Sequence, residues 1–217
     1  AGGDKESMKN TFLWGLRMVF FVMIPAQVGF MVLSRPIIQS LFEGGKFDTY
    51  ATLQTADVLF FYSIGLFAYG STKVTQCAFF ALKDTVTPTK VSALTLALNI
   101  IFNAIFMFPL KVAGLALATS VSGIISFFVL LSLLEKKVGD MDMREASFSF
   151  IKMLVASLAM GLICSLLYRS LNLGAGYLNK LLVLIITVMT AALSYVLFCF
   201  LLRVQEIHQI RSWIKRR

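Results

Sequence analysis

The run VAGLALATSVSGIISFFVLLSLL, Val112–Leu134, contains no charged residue and no alternation of polar with apolar positions. A helix rises about 1.5 Å per residue, so roughly 20 such residues cross about 30 Å of hydrocarbon. Lipid admits only helices and closed barrels, because every backbone polar group must find a partner within the protein, and a barrel strand would alternate. The run therefore predicts a membrane-spanning helix. Working outward from it, five further runs qualify: Phe12–Ser34, Thr55–Leu82, Val91–Phe108, Phe148–Tyr168 and Leu181–Leu202. The expected fold class is all-α, a polytopic transmembrane helical bundle of six spans. Composition agrees. Of 217 residues 58% are apolar and 14% charged, with a mean hydropathy of +0.82, whereas soluble domains run near half apolar and a quarter charged.

Punctuation between the runs supports these limits. Thr87-Pro88 reads as an N-cap followed by a proline in the first helical position of the third span, and Pro109 as its end. Pro25 lies inside the first span, where a kink is expected. The mixed segment Arg35–Ala51 is too short and too polar to span; it is expected to lie along the outer surface, with Gly44-Gly45 separating a short apolar helix from a turn. The chain divides into residues 1–134, four spans with that surface segment at 35–51, and residues 135–217, two additional spans and a basic tail. The tail from Arg203 could form an interfacial helix with Ile207, Ile210, Trp213 and Ile214 on its apolar side, or be a solvated end. The opening Ala1-Gly2-Gly3-Asp4-Lys5 reads as a cut.

A net charge of +9 would suggest nucleic acid in a soluble protein, but here the cations fill short gaps between spans. No nucleic-acid partner is expected; membrane lipids are. With the N-terminal residues in the cytoplasm, fourteen of the 20 lysines and arginines fall on that side and five opposite, leaving Lys73 within a span. That bias places both chain ends inside. Cys77, Cys164 and Cys199 all sit in apolar runs without C-x-x-C spacing, and read as buried inert thiols.

No catalytic constellation is visible. The single histidine, His208, is in the tail, the acidic residues read as loop residues, and there is no H-E-x-x-H, Walker loop or G-x-G-x-x-G. An enzyme is not expected. The informative residues are polar ones at membrane depth. Lys73 follows the charge-free stretch Val58–Thr72, and a lysine near a helix centre costs about 2.5–3.5 kcal/mol on insertion scales. Either it faces a wet cavity and an anionic partner, or it snorkels to the cytoplasmic interface. Thr72, Thr75 and Gln76 beside it favour the cavity. Asn99 and Asn103 share one helix face. They can bond across to Thr119, Ser120 and Ser122 on the next span, whose Gly114, Ala118, Ser122 series allows close approach; alternatively their oxygens suit a small hard cation. Gln27, Gly161 and Ser165 read as packing residues.

Four stretches carry a family resemblance: WGLRMVFFVMIPAQVGFMVLSRPIIQSLFEGGKFD (Trp14–Asp48), YSIGL (Tyr62–Leu66), KVTQCAFFALKDTVTPTK (Lys73–Lys90) and FPLKVAGLALATS (Phe108–Ser120). In this order they closely resemble the MurJ/MviN lipid II flippases of the multidrug/oligosaccharidyl-lipid/polysaccharide exporter superfamily. The resemblance implies helices nine to fourteen of a fourteen-helix exporter fold, so the missing N-terminal helices become an expected partner. It further implies a multi-pass protein of the bacterial inner membrane that moves lipid-linked peptidoglycan precursor outward by alternating access, serving cell-wall biogenesis.

Carried onto this sequence, the resemblance makes Lys73, with Thr72 and Gln76, the expected substrate-binding set. It makes Lys83, Asp84, Thr85, Thr87, Pro88 and Lys90 a signature loop that fixes a cytoplasmic turn and gate. Asn99, Asn103, Thr119 and the backbone near Leu115 align with a sodium site found in some members, where a carboxylate stands at the position of Asn103. This chain departs there by one negative charge. No other cofactor is implied. In the family the last two helices form a groove for the lipid tail, with which Ala156, Ala159 and Gly161 are compatible. A different exporter of the superfamily, carrying a polysaccharide-lipid or exchanging a drug for a cation, and a scaffold that only binds other membrane proteins, are the remaining readings.

Overall fold

The computed structural model describes residues 2–171, 177–204 and 206, and every element among them is a helix. They are α1 (Gly2–Phe42), α2 (Thr49–Ile64), α3 (Leu66–Ala81), α4 (Val86–Leu110), α5 (Val112–Val138), α6 (Arg144–Ser170) and α7 (Tyr177–Leu201). Five are long and apolar enough to cross a membrane, and six spans result when α2 and α3, bent by 41° at Gly65, count as one. Helix α1 is the axis of the bundle, packed against α2, α3, α6 and α7, while α5 closes the far side against α2, α3 and α4. Leu16, Phe20, Phe79, Leu130, Leu134 and Met153 form the centre of the apolar core. Helix α4 hangs on α5; Pro88 and Val91 are its only buried residues.

Three expectations need correction. The segment from Arg35 is not a separate surface helix, since α1 runs unbroken to Phe42 through both Pro25 and Pro36. Burial of Ile38 and Ser40 holds these last turns to the bundle, and tertiary packing overrides the local penalty of Pro36. The Gly44-Gly45 turn does form, with Gly45 at φ 57° and a backbone pair between Gly44 and Phe47. Secondly, Thr87 is not the N-cap of α4. The helix begins at Val86, and Asp84 accepts from the Thr87 amide at 3.0 Å and the Thr87 hydroxyl at 2.7 Å. Pro88, in the first turn, has no N–H to leave unpaired. Thirdly, Cys77 is exposed, and only Cys164 and Cys199 are buried. The expected amphipathic tail lies outside the described residues apart from Arg203, Val204 and Glu206.

Two of the helix interruptions, Pro25 and Gly65, are compensated across the bundle. Pro25 has no N–H, so the Phe21 carbonyl one turn back loses its usual partner. The Tyr195 hydroxyl of α7 donates to that carbonyl at 2.9 Å. At Gly65 the break is answered from α5, where the Ser120 hydroxyl donates to the Phe61 carbonyl at 2.7 Å. Close approach of α4 to α5 depends on Gly114: a Cβ there would fall 2.1 Å from the Phe106 carbonyl oxygen. No side chain fits that gap.

The Pro25–Tyr195 compensation is testable by a double-mutant cycle on thermal unfolding in detergent. Tyr195→Phe should cost about 1 kcal/mol in the parent protein. In a Pro25→Ala background, where residue 25 regains the N–H that Phe21 needs, the same change should cost close to nothing. Equal costs in both backgrounds would show that the hydroxyl does not serve the proline.

Candidate substrate-facing site

Helix α3 has two chemically distinct faces. Ser71 and Thr75 are buried against the bundle, and their hydroxyls donate back to the Phe67 and Ser71 carbonyls at 2.7 and 2.8 Å. Such local bonds spare the neighbouring helices a polar partner. Lys73 and Cys77, one turn apart, point away from the bundle and are exposed, with Thr72 and Gln76 half-buried beside them. Among the described residues the Lys73 ammonium has neither a hydrogen bond nor an ion pair. From Lys73 to the end of α3 at Ala81 is about 12 Å along the axis, a distance that a four-carbon stem does not cover. The ammonium therefore stays alongside α3 instead of reaching the helix end, and a charge there needs hydration or a polar partner.

The signature loop is a latch. Lys83 turns through the left-handed region at φ 57°, and its amide bonds to the Phe80 carbonyl at 2.9 Å. Asp84 then caps α4 and accepts from the Lys137 ammonium at the end of α5. Lys137, and after it the Thr87 hydroxyl and amide, hold the Asp84 carboxyl well below the usual carboxylate range. Lys83, Thr85 and Lys90 are exposed and do not join this contact. Around the same end, Lys9 donates to the Asp140 carbonyl at 2.7 Å. Arg17 pairs with Glu145 at 3.1 Å and with Glu206, 1% exposed, at 3.5 Å.

Sequence reasoning missed this last cluster, because Arg17 lies more than a hundred positions from both of its carboxylates. It also missed Asp57, which is exposed on α2 within an expected span. No local signal marks Glu206, although Arg17 within an apolar run could have prompted a search for a carboxylate.

The asparagine pair joins α4 to α5. The Asn99 side-chain amide donates to the Thr119 and Ser122 hydroxyls at 3.2 and 3.3 Å. Those hydroxyls already spend their protons on the Leu115 and Thr119 carbonyls, so each can only accept from Asn99. The Asn99 oxygen therefore faces Asn103, whose side-chain amide donates to it at 2.9 Å. One acceptor remains, the buried Asn103 oxygen. Ser120, also expected to meet the pair, bonds instead to α2. The set is neutral, with the Asn99 NH2 turned toward the hydroxyls, and no group of three or more His, Cys, Asp or Glu side chains able to hold a metal occurs among the described residues.

On the other side of the bundle, α1, α6 and α7 enclose an apolar hollow of about 390 Å³. Pro25, Gly29, Met160, Cys164, Ala191 and Tyr195 are among its walls. Ala156 is buried in the core, and Gly161 lies so close to α1 that a Cβ would meet Val28 at 2.8 Å. These two small residues serve the α1–α6 contact and do not line the hollow.

The latch predicts an order of effects. Asp84→Ala, which removes the ion pair and the helix cap together, should lower the thermal midpoint more than Lys137→Ala, which removes only the pair. Because the Asp84 pKa is depressed, its contribution is complete above the ordinary aspartate value and is lost only as pH falls through the lower folded value. Both differences should therefore persist from about pH 7 to about pH 5. Below about pH 4 both differences should shrink, and differences with no pH dependence there would mean that the Asp84 pKa is not depressed.

With this geometry in hand, comparison with known proteins is decisive for the family. The family model described as lipid II flippase MurJ matches residues 1–201. A probable lipid II flippase MurJ of Buchnera aphidicola (subsp. Acyrthosiphon pisum) is 32% identical over 197 residues, covering 89% of this chain and 38% of that protein. Its counterpart in Thermotoga maritima is 34% identical over 192 residues, covering 88% and 37%. Among solved structures, the inward closed conformation of a lipid II flippase MurJ superposes with a TM-score of 0.74 at 28% identity, covering 93% of this chain and 40% of that one. The chain thus spans about two fifths of the relatives it matches. It is a multi-pass membrane protein, and it belongs to the lipid II flippase MurJ family.

Proposed function

We propose that this chain forms the C-terminal part of a bacterial inner-membrane flippase that carries undecaprenyl-pyrophosphate-linked peptidoglycan precursor outward by alternating access. The single observation that carries the reading is Lys73: a cation on the outward face of a helix whose opposite face is packed, with no partner among the described residues. A lysine ammonium is a compact point charge suited to phosphate oxygens. Lining a wet cavity shared with the rest of the protein, Lys73 would meet the pyrophosphate while Thr72 and Gln76 supply neutral hydrogen bonds. The insertion cost of the charge is then met by hydration and by the anionic headgroup in turn.

The remaining features fit around that step. The Asp84–Lys137 latch ties the cytoplasmic ends of α4 and α5, so these helices would move as one body when one lobe rocks against the other. The asparagine clasp does the same further along the two helices. The hollow between α1, α6 and α7 suits an apolar polyprenyl tail, since its walls offer almost no polar surface. Both chain ends are read as cytoplasmic from the excess of positive charge there. The reaction is translocation, with no covalent change in the cargo.

The test is complementation by a full-length flippase carrying this sequence, in bacteria depleted of their own lipid II flippase. The parent protein should restore growth, Lys73→Ala should fail at equal membrane abundance, and Lys73→Arg should retain partial function. Growth with Lys73→Ala would remove Lys73 from the mechanism; failure of a well-expressed parent would point to another exported lipid or to a scaffold.

A further inference from the structure

The 41° break at Gly65 lies two turns before Lys73, and two side chains from different helices hold it. In an unbroken helix the Gly65 amide would bond to the Phe61 carbonyl. Here it turns to the Tyr62 carbonyl at 3.3 Å, releasing Phe61. The Ser120 hydroxyl of α5 takes up the released carbonyl at 2.7 Å and reaches the Tyr62 carbonyl at 3.2 Å. On the other side of the break, the Phe67 amide would bond to Ser63 in a continuous helix. Its hydrogen is directed instead to the side-chain oxygen of Gln27 on α1, at 3.4 Å. A donor from α5 and an acceptor from α1 thus supply what the break removes.

Space enforces the arrangement. A Cβ at Gly65 would fall 2.8 Å from the Ser120 Cα and 3.0 Å from its Oγ, so the break seats directly on α5. The position of α3 beyond it follows from that seat. Eight residues at about 1.5 Å each give a lever of ~12 Å from Gly65 to Lys73, so straightening a 41° bend would displace Lys73 by roughly 8 Å. A displacement of that size separates contact with a pyrophosphate from no contact.

We propose that Ser120 and Gln27 are positioning residues for transport: by satisfying the backbone groups freed at Gly65 they fix the direction in which α3 presents Lys73. The proposal rests on the reading of Lys73 as the contact for the anionic headgroup. Neither side chain touches substrate. Each acts through the backbone of the broken span, Ser120 from a site with no exposure at all.

Cys77 provides a readout that a purely stabilising role would not move. It is exposed one turn beyond Lys73 on the same face of α3. In a full-length flippase with Cys77 as its sole cysteine, the rate of modification by a water-soluble maleimide in membranes reports where that face points. The variants are Ser120→Ala, Gln27→Met, Ser120→Thr, which keeps the hydroxyl, and Lys73→Ala. Ser120→Ala and Gln27→Met should each lower lipid II flipping by about tenfold, the size expected for one lost buried hydrogen bond, and both should change the Cys77 rate. Ser120→Thr should recover both readings toward the parent. Lys73→Ala should abolish flipping.

Four results would overturn the proposal. Parent-like flipping in Ser120→Ala and Gln27→Met, with Lys73→Ala inactive, would mean that the clamp is idle while Lys73 stands. Lost flipping with an unchanged Cys77 rate would reduce the pair to a structural role. Normal flipping by Lys73→Ala, or a parent Cys77 inert to the reagent, would remove the reading of Lys73 and the proposal with it. Should Ser120→Ala fail to accumulate in the membrane, Gln27→Met, which keeps the side-chain volume and loses only the acceptor, decides the question.

Discussion

Lipid offers the backbone no hydrogen-bond partner, so each place where a spanning helix is interrupted obliges a neighbouring helix to supply one. Two interruptions organise this bundle. Pro25 in α1 is answered by the Tyr195 hydroxyl of α7, and the break at Gly65 by Ser120 of α5 together with Gln27 of α1. These contacts join α1 to α7, α1 to α3 and α5 to α2, three of the helix pairs that pack in the bundle. Apolar packing alone discriminates weakly between helices in lipid, because the tails are as apolar as leucine. Directed hydrogen bonds across the bundle supply the missing specificity.

Polarity is otherwise concentrated at one end. The Lys137–Asp84, Arg17–Glu145 and Arg17–Glu206 pairs and the Lys9 bond to Asp140 gather where α1, α4 and α6 begin and α5 ends. Most of these pairs have one partly exposed partner, so salt screens them and their worth is modest. Glu206 differs, since its carboxylate is buried and would be costly without Arg17. Away from that end a short neutral chain runs from Asn103 through Asn99 to two hydroxyls, and Lys73 faces outward.

What the sequence disclosed follows from which forces act locally. Hydropathy located the six spans, because crossing thirty ångströms of hydrocarbon is a demand on composition and length. The pairing of Asn99 with Thr119 and Ser122 was legible because buried amides must find partners and the next span offered hydroxyls along a small-residue face. Hydropathy did not reveal the break at Gly65, which costs nothing in apolarity and depends on Ser120, more than fifty residues away. The continuation of α1 through Pro36 escaped for a like reason: burial of Ile38 and Ser40 decides it, and burial is a property of the assembled bundle. Asp84 was placed in the right loop without its capping role, since Thr87-Pro88 resembles a helix start and the capping side chain stands three residues earlier. The exposure of Cys77 could have been inferred from its spacing to Lys73, had both been placed on one face.

The central claim is that α3 presents Lys73 to the lipid-linked pyrophosphate, and contact between the two is the most direct thing to measure. A photo-crosslinking amino acid in place of Lys73, in the full-length protein in native membranes, should form an adduct with the peptidoglycan precursor. That adduct should weaken when precursor synthesis is blocked. Adducts confined to phospholipid or to neighbouring helices, and indifferent to that block, would contradict the account.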